Sequence, residues 1–410
     1  MKKTPELRFS GFDDKWTEQK LNEYLEPSKI KNYDNKYTKK DVLSVSGEFG
    51  IVNQIDFQGR SFAGESVNNY GVVDTGDIVY TKSPLNANPY GIIKYNPGKP
   101  GIVSTLYAVY KTKTVDASFV QTYFDLDKRL NDYLRPLVRK GAKNDMKVSA
   151  SDALLGNVIF PALIEQQKIG TMLSKVDSLI ELKTKKLESL KMVKKSLLQK
   201  CFPKAGAKVP EMRFEGFTGD WEENNIASIG EIIAGGTPST EHDDYWEPKE
   251  IPWLSSGEVN KKIITFTDDM ISEKGFHNCS AKWIKENSVL IALAGQGKTR
   301  ATVAINKIPV TTNQSIAGII LNDTIDTYFL FQSLERKYED IRKMSSGDGT
   351  RGGLNKQLVG EITFMLPPTL EEQQKIGHFF SEHDNLIRLQ QKEIDKLKAI
   401  KKSLLQKMFV

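Results

Sequence analysis

The chain repeats itself, and the repeat limits its fold more than any other feature. Leu163–Phe202 (LIEQQKIGTMLSKVDSLIELKTKKLESLKMVKKSLLQKCF) aligns without a gap on Leu370–Phe409 (LEEQQKIGHFFSEHDNLIRLQQKEIDKLKAIKKSLLQKMF) at an offset of 207, with about 23 of 40 positions identical. A second echo frames the first. Pro5-Glu6-Leu7-Arg8-Phe9-Ser10-Gly11-Phe12 returns as Pro210-Glu211-Met212-Arg213-Phe214-Glu215-Gly216-Phe217, and a tryptophan follows each, Trp16 and Trp221. A period near 205 residues is too long for a solenoid, whose units run about 20–50 residues. The order is A–B–A′–B′, a tandem duplication of a two-part module with A regions of about 155 residues and B segments of about 40.

Composition narrows the class. A length of 410 residues predicts two to four folded units, at about 100–200 residues each. With 39% hydrophobic and 27% charged residues, the chain is neither disordered, collagen-like nor a polytopic membrane protein. Cys201 and Cys279 cannot build a disulfide framework or a four-ligand zinc site. His378 and His383 are five apart, not at the helical spacing of a zinc pair. Met1–Arg8 lacks the apolar core of a signal peptide, and no apolar run reaches about 18 residues. The expectation is a soluble protein of the reducing cytoplasm, without a metal centre and away from membranes. The net charge of +6 permits nucleic acid as a partner without demanding it.

The B segments read as long helices. Leu, Lys, Glu and Gln dominate, and no Pro or later Gly follows Gly170 or Gly377. Leu173, Val176, Ile180, Leu187, Leu190 and Leu197 fall on heptad a and d positions, as do Phe380, Ile387, Ile394, Leu397 and Leu404 in the second copy. Both copies interrupt the stripe with polar residues at matching places: Lys183 and Gln390 at one d, Lys194 and Lys401 at one a. Leu179, Val193, Leu386 and Ile400 are expected to widen the apolar face. Matching stripes predict that the helices pair antiparallel as a pseudo-two-fold rod. The alternative is two surface helices, each packed on its own domain. The basic excess sits here: net +5 over Glu165–Lys200 and +2 over Glu371–Lys407, leaving −1 elsewhere.

The A regions read as mixed α and β. Gly71–Tyr80, Gly91–Tyr95 and Gly101–Tyr110 predict short strands, as do Ser288–Ala294, Ala301–Ile305 and Ser315–Leu321 in the second copy. A helix is expected over Ser118–Leu134 and over Thr327–Met344. Each region ends in a Gly-containing loop with basic residues, Arg139–Asp145 and Ser345–Gly353, before a final strand. Such a loop can hold a phosphate or be an ordinary connection. Ala292-Leu293-Ala294-Gly295-Gln296-Gly297-Lys298-Thr299 mimics a nucleotide phosphate loop, but Arg300–Ile305 after it is β-like, and a working loop needs a helix there. Gln296, Lys298, Thr299 and Arg300 between two strands suit DNA better. Asn88-Pro89-Tyr90 is a partial match to a base-flipping methyltransferase motif, lacks an upstream cofactor fingerprint, and reads as a turn. No catalytic constellation is visible.

These features resemble the specificity subunit of a type I restriction–modification system. The A–B–A′–B′ plan is similar to that family's alternation of target-recognition domains and long helices. Pro161–Ile169 and Pro367–Ile376 resemble its proline-then-EQQ-I signature. Gly235-Gly236-Thr237-Pro238-Ser239, Ile251-Pro252-Trp253-Leu254-Ser255 and Thr312-Asn313-Gln314-Ser315 are similar to motifs of its recognition domains. The first A region departs from that pattern: Ser28 and Ser104-Thr105 fall only roughly where the Gly-Gly-Thr-Pro and Thr-Asn-Gln stretches would.

The resemblance implies an α+β chain: two mixed α/β target-recognition domains joined by two long antiparallel coiled-coil helices with pseudo-two-fold symmetry. Its divisions are 1–160 and 210–366 for the recognition domains, 161–202 and 367–410 for the helices, and 203–209 for a linker. It implies a non-catalytic subunit in which each domain reads one half of a bipartite, asymmetric double-stranded DNA target. The helices would set the spacer and dock two modification (methyltransferase) subunits, with motor–nuclease restriction subunits joining. S-adenosylmethionine, ATP and Mg would belong to those partners, with no cofactor in this chain. A stand-alone methyltransferase or nuclease and a non-reading assembly scaffold are the alternatives. Candidate DNA contacts are Arg60, Lys82, Ser83, Asn86, Lys94 and Lys143 in the first domain. In the second they are Thr237, Ser239, Gln296, Lys298, Arg300, Asn313, Gln314 and Arg351. Each position equally suits a surface or turn role.

Overall fold

The computed structural model describes residues 4–140, 146–295, 297–344 and 353–410. The contacts divide the chain into two compact units, and the division cuts through both long helices. Met1–Thr184 with Lys392–Val410 forms the first unit, and Lys185–Gln391 forms the second.

The centre of the first unit is a four-stranded antiparallel sheet in the order Leu25–Pro27, Tyr107–Thr112, Ile78–Thr81, Ile93–Tyr95. Ile78–Thr81 is buried along its whole length, as expected of an apolar run covered on both faces. Gly71–Val73 pairs with Gly101–Val103, and Thr17–Lys20 pairs with Asn157–Phe160. The expected strand Gly71–Tyr80 is therefore two strands, because Asp74-Thr75-Gly76 turns between them, with Gly76 at φ +89°.

The second unit repeats this frame. Its five-stranded sheet runs Gly230–Ala234, Ile316–Leu321, Val289–Ala292, Val303–Asn306, Ile263–Ile264, with only the last pair parallel. A second sheet joins Asp269–Ile271, Ile251–Leu254 and Thr311–Thr312. Glu222–Asn225 pairs with Thr363–Leu366, as Thr17–Lys20 does with Asn157–Phe160 in the first unit.

Each helix expected after the sheet is broken in two. Ala117–Phe124 and Asp127–Leu134 replace Ser118–Leu134, and Thr327–Arg336 and Tyr338–Met344 replace Thr327–Met344. The break in the first unit is local: Leu126 takes extended backbone, φ −84° and ψ 113°. The starts are capped alike. Asp116 accepts from the Phe119 N–H at 2.8 Å, and Asp326 accepts from the Phe329 N–H at 2.8 Å, the usual service of an N-cap carboxylate.

The long helices span Leu163–Lys200 and Leu370–Lys407. Within the first unit, Lys401 meets Asp177 at 2.7 Å and Lys183 meets Glu393 at 2.8 Å. One number rises as the other falls, so these helix segments run antiparallel. Within the second unit Lys194 meets Asp384 at 2.6 Å, and Phe202 packs on Phe380 further along, again antiparallel. The three lysines that interrupt the stripe, Lys183, Lys194 and Lys401, are thus ion-paired, and Gln390 is buried as an uncharged amide. All eleven heptad residues named above are buried or half-buried. Leu179, Val193, Leu386 and Ile400 are not: they are 40%, 48%, 51% and 42% exposed. They do not widen the packed face as expected. A two-helix seam covers a narrow a/d stripe and leaves the flanks in solvent.

Each core is completed by the end of the other copy's helix. Leu405, Met408 and Phe409 lie in the first core, where Phe409 packs against Trp16, Phe119 and Tyr123. Leu198, Cys201 and Phe202 lie in the second, where Phe202 packs against Trp221 and Phe329. No helix among the described residues is long and apolar enough to cross a membrane.

Candidate nucleic-acid interface

In the second unit three separated motifs fold into one corner. The Gly236 N–H donates to the Thr312 carbonyl at 2.8 Å, and Trp253 Nε1 donates to the Gly236 carbonyl at 2.9 Å. The Asn313 N–H donates to the Leu254 carbonyl at 3.0 Å, and Thr311 Oγ1 donates to the Pro252 carbonyl at 3.0 Å. Gly235 and Gly236 are required by close approach: a Cβ on Gly235 would collide with the Thr312 and Asn313 carbonyls, and one on Gly236 with Ser280 and Ala281. The exposed Thr237 hydroxyl donates to Gln314 Oε1 and holds that amide in place. Asn313 Oδ1 accepts from the Ser315 N–H at 3.0 Å. Ser239 is exposed, and its hydroxyl accepts from the Glu241 N–H at 3.3 Å.

The loop between Val289–Ala292 and Val303–Asn306 starts at this corner, where the Leu293 N–H donates to the Ser315 carbonyl at 2.8 Å. It carries Lys298, exposed, and Arg300, half-buried. The phosphate-loop-like sequence leads into strand Val303–Asn306 instead of a helix, so it lacks the helix N-terminus that cradles nucleotide phosphates. Gln296 and Arg351, and Lys143 of the first unit, lie outside the described residues.

The first unit has the same loop from a different sequence. Lys82, Ser83 and Asn86 lie between Ile78–Thr81 and Ile93–Tyr95, the two strands that correspond to Val289–Ala292 and Val303–Asn306 in sheet order. The Lys82 N–H donates to the Leu106 carbonyl at 3.1 Å, as Leu293 does to Ser315. Ser104 takes the place of Asn313: the Tyr107 N–H donates to the Ser104 carbonyl and the Ile316 N–H to the Asn313 carbonyl, at 3.1 and 3.2 Å. Sequence placed Ser104 only roughly; backbone pairing makes the correspondence. Ser28 has no such match. Its N–H pairs with the Val109 carbonyl, whereas Gly235 lies further along its strand, opposite Ile316. Asn88-Pro89-Tyr90 is a turn, closed by the Gly91 N–H on the Asn88 carbonyl at 3.0 Å, and Asn88 Nδ2 ties it to Asp127 at 2.8 Å.

Two first-unit candidates are otherwise placed. Arg60 is exposed and lies over the Phe62 ring at 4.6 Å. Lys94 is 13% exposed and pairs with Asp125 at 2.7 Å. It belongs to a four-group cluster in which Asp125 also binds Lys401 at 3.0 Å and Lys401 binds Asp177 at 2.7 Å. Burial pushes the Asp125 carboxyl up, but the ammonium groups of Lys94 and Lys401 more than reverse this and hold it below the ordinary carboxylate range. Asp177 goes the other way, raised by burial that Lys401 only partly offsets. The second unit repeats the cluster with Lys194 between Glu335 and Asp384, both at 2.6 Å, and with Lys262 on Glu335 at 3.2 Å. Lys94 therefore serves packing of the long helix, not the loop surface. Its alternation with apolar neighbours in sequence carries no sign of this, because its ionic partner Asp125 is 31 residues away and Lys401, which shares that carboxylate, is further still.

Each Gln-rich helix start also ties its own unit together. Glu165 receives Arg8 through two bonds at 2.7 and 2.8 Å, and Glu372 receives Arg213 at the same two distances. Gln166 Oε1 accepts from the Asp116 N–H at 3.1 Å, and Gln373 Oε1 from the Asp326 N–H at 2.9 Å. Among the described residues no group of three or more His, Cys, Asp or Glu could hold a metal ion.

Known proteins share this arrangement. Residues 218–399 match the family model described as the type I restriction modification DNA specificity domain. The specificity subunit of the type I restriction enzyme MjaIX of Methanocaldococcus jannaschii is 31% identical over 198 residues, 47% of this chain and 44% of that protein. The specificity subunit of the type I restriction enzymes EcoR124I/EcoR124II of Escherichia coli is 26% identical over 171 residues, 41% of this chain and 42% of that protein. The matched stretches thus span less than half of these relatives. Over nearly the full length, the crystal structure of the type I restriction-modification S subunit from M. genitalium superimposes with a TM-score of 0.66 at 15% identity, covering 99% of both chains. This chain has the fold of the type I specificity subunits, and its residues 218–399 match the model of the type I restriction modification DNA specificity domain.

Proposed function

We propose that the chain is the DNA-sequence-specificity subunit of a type I restriction–modification enzyme, without catalytic groups of its own. One observation carries this reading. The two units present the same loop from the same place in the same sheet order, yet fill it with different residues: Lys82, Ser83 and Asn86 in one, Lys298 and Arg300 in the other. A duplicated frame with divergent tips is suited to reading two different half-sites of a bipartite, asymmetric duplex. In this reading the domains are residues 1–160 and 210–366, and the helices 161–202 and 367–410 fix the spacer and dock two modification subunits. Restriction subunits complete the assembly, S-adenosylmethionine, ATP and Mg act in the partners, and the complex works in the cytoplasm.

Methylation mapping of host DNA tests it. Co-expression with the modification subunit should mark one bipartite motif. Exchanging residues 1–160 for another recognition domain should change one half of that motif and leave the other. An unchanged motif would remove the reading function and leave a scaffold; methyl transfer or cleavage by the purified chain alone would make it an enzyme.

A further inference from the structure

Beneath the second-unit loop lies a groove of about 350 Å³ lined by Asn260, Lys262, Lys298, Thr302, Glu335 and Tyr338. Three observations single it out. The first is backbone strain. Among the described residues four non-glycines have positive φ: Asn35, Asn287, Lys262 at +66° and Ala301 at +69°. Asparagine tolerates that region; lysine and alanine do not. Both unfavourable positions, Lys262 and Ala301, line this groove. Lys262, with ψ −45°, is in the rare γ-turn region. Strain of this kind persists where the surrounding structure enforces it, and it clusters at functional sites.

The second observation is how Lys298 is held. Its carbonyl accepts from both Tyr338 Oη and Thr302 Oγ1, each at 2.9 Å. Two hydroxyls spent on one carbonyl fix the backbone of an exposed lysine, and no described residue pairs with its ammonium. The third is charge. The Glu335 carboxylate in the groove is already shared by Lys194 and Lys262, so it does not cancel Lys298. A compact ammonium on a fixed backbone, beside a second lysine and at the foot of the loop, suits a phosphate better than a base edge. Planar, bidentate base reading is the task of Arg, Asn or Gln.

We propose that this groove seats a DNA backbone phosphate, with Lys298 as the contacting cation and Lys262 beside it. The seat sets the height of the loop over the duplex and carries no sequence information itself. It rests on the reading of the chain as a DNA-specificity subunit.

The test measures binding of the full chain to its mapped target duplex and to an unrelated duplex, by fluorescence anisotropy over a salt series starting near 50 mM. Lys298→Ala should weaken both duplexes by the same factor and make the salt slope shallower by about one. Lys298→Arg should restore the slope. A loss confined to the target duplex would make Lys298 a base contact and overturn the seat. An unchanged slope for Lys298→Ala, with the wild type binding normally, would overturn it too and leave the specificity reading standing. If the wild type binds neither duplex and methylation mapping shows no motif, the specificity reading falls and the seat with it.

Discussion

Arg8 grips Glu165 through two parallel bonds of 2.7 and 2.8 Å across 157 residues of chain, and the carboxylate is 1% exposed. The pair ties the N-terminal echo of the repeat to the start of the long helix, and Arg213 and Glu372 do the same in the second unit. Fork-on-fork geometry is what makes such a pair strong. Removing the guanidinium strands a buried carboxylate, which costs about 3–5 kcal/mol. Arg8→Ala should therefore destabilise the first unit by that order, and Arg8→Ala with Glu165→Ala by less than the sum of the single changes. Urea unfolding of the three variants measures this; additive losses would show that the two groups are not coupled.

Gly170 and Gly377 sit where the long helices cross the capped helix starts. A Cβ at Gly170 would strike Ser118 and Asp116, and one at Gly377 would strike Asp326 and the Phe329 N–H. Alanine usually strengthens a helix by about 1 kcal/mol over glycine. Here the clash should win: overpacking of this kind costs about 1–3 kcal/mol. Gly170→Ala and Gly377→Ala are expected to lower the melting temperature, read by calorimetry. A rise would mean that the caps yield without cost.

The Lys401 cluster gives the protein a defined pH response. Asp125 is held below its ordinary value, so its contribution to stability is present above about pH 4 and is lost as pH falls through the depressed pKa. Lys401 is raised despite burial, because Asp125 and Asp177 face it. Its contribution is present below about pH 10.4 and is lost as pH rises through the higher folded value. Asp125→Asn should flatten the acid limb of a stability–pH curve while lowering the plateau. An acid limb of unchanged steepness would assign it to other carboxylates.

Leu182 and Leu389 occupy matching places on the two long helices and are 64% and 48% exposed; Leu179 and Leu386 lie three residues earlier on the same faces. Serine at Leu182 or Leu389 should change stability by no more than about 0.5 kcal/mol, as surface changes do. The same changes should weaken capture of the modification subunit in a pull-down if these faces dock it. Undiminished capture would place docking elsewhere.

Thr237 holds Gln314 by its carbonyl oxygen. Thr237→Val keeps the shape and removes the donor. The amide is then free to turn, and discrimination at one base pair should fall by up to about 1–3 kcal/mol. Methylation mapping would show one relaxed position in one half of the motif; a motif read as strictly as before would separate Gln314 from base reading.

The duplicated plan, the long helices and their a/d seams were legible in the sequence, because a gapless repeat and a heptad are local, periodic facts. The same was true of Trp16 and Trp221 as matching landmarks, which prove to be core residues, each 1% exposed. Tertiary structure alone decided the rest. Lys94 reads as a surface cation until Asp125, a carboxylate it shares with the distant Lys401, closes on it. Ser104 reads as an unmatched serine until strand pairing puts it where Asn313 stands. The Glu-Gln-Gln stretch reads as a family mark until Arg8 and the Asp116 N–H show it to be a clamp. Periodicity reports which face of a helix is apolar. It cannot report which remote group will neutralise a buried charge or fill a lone pair, since that depends on a fold that brings together residues from 31 to 276 positions apart.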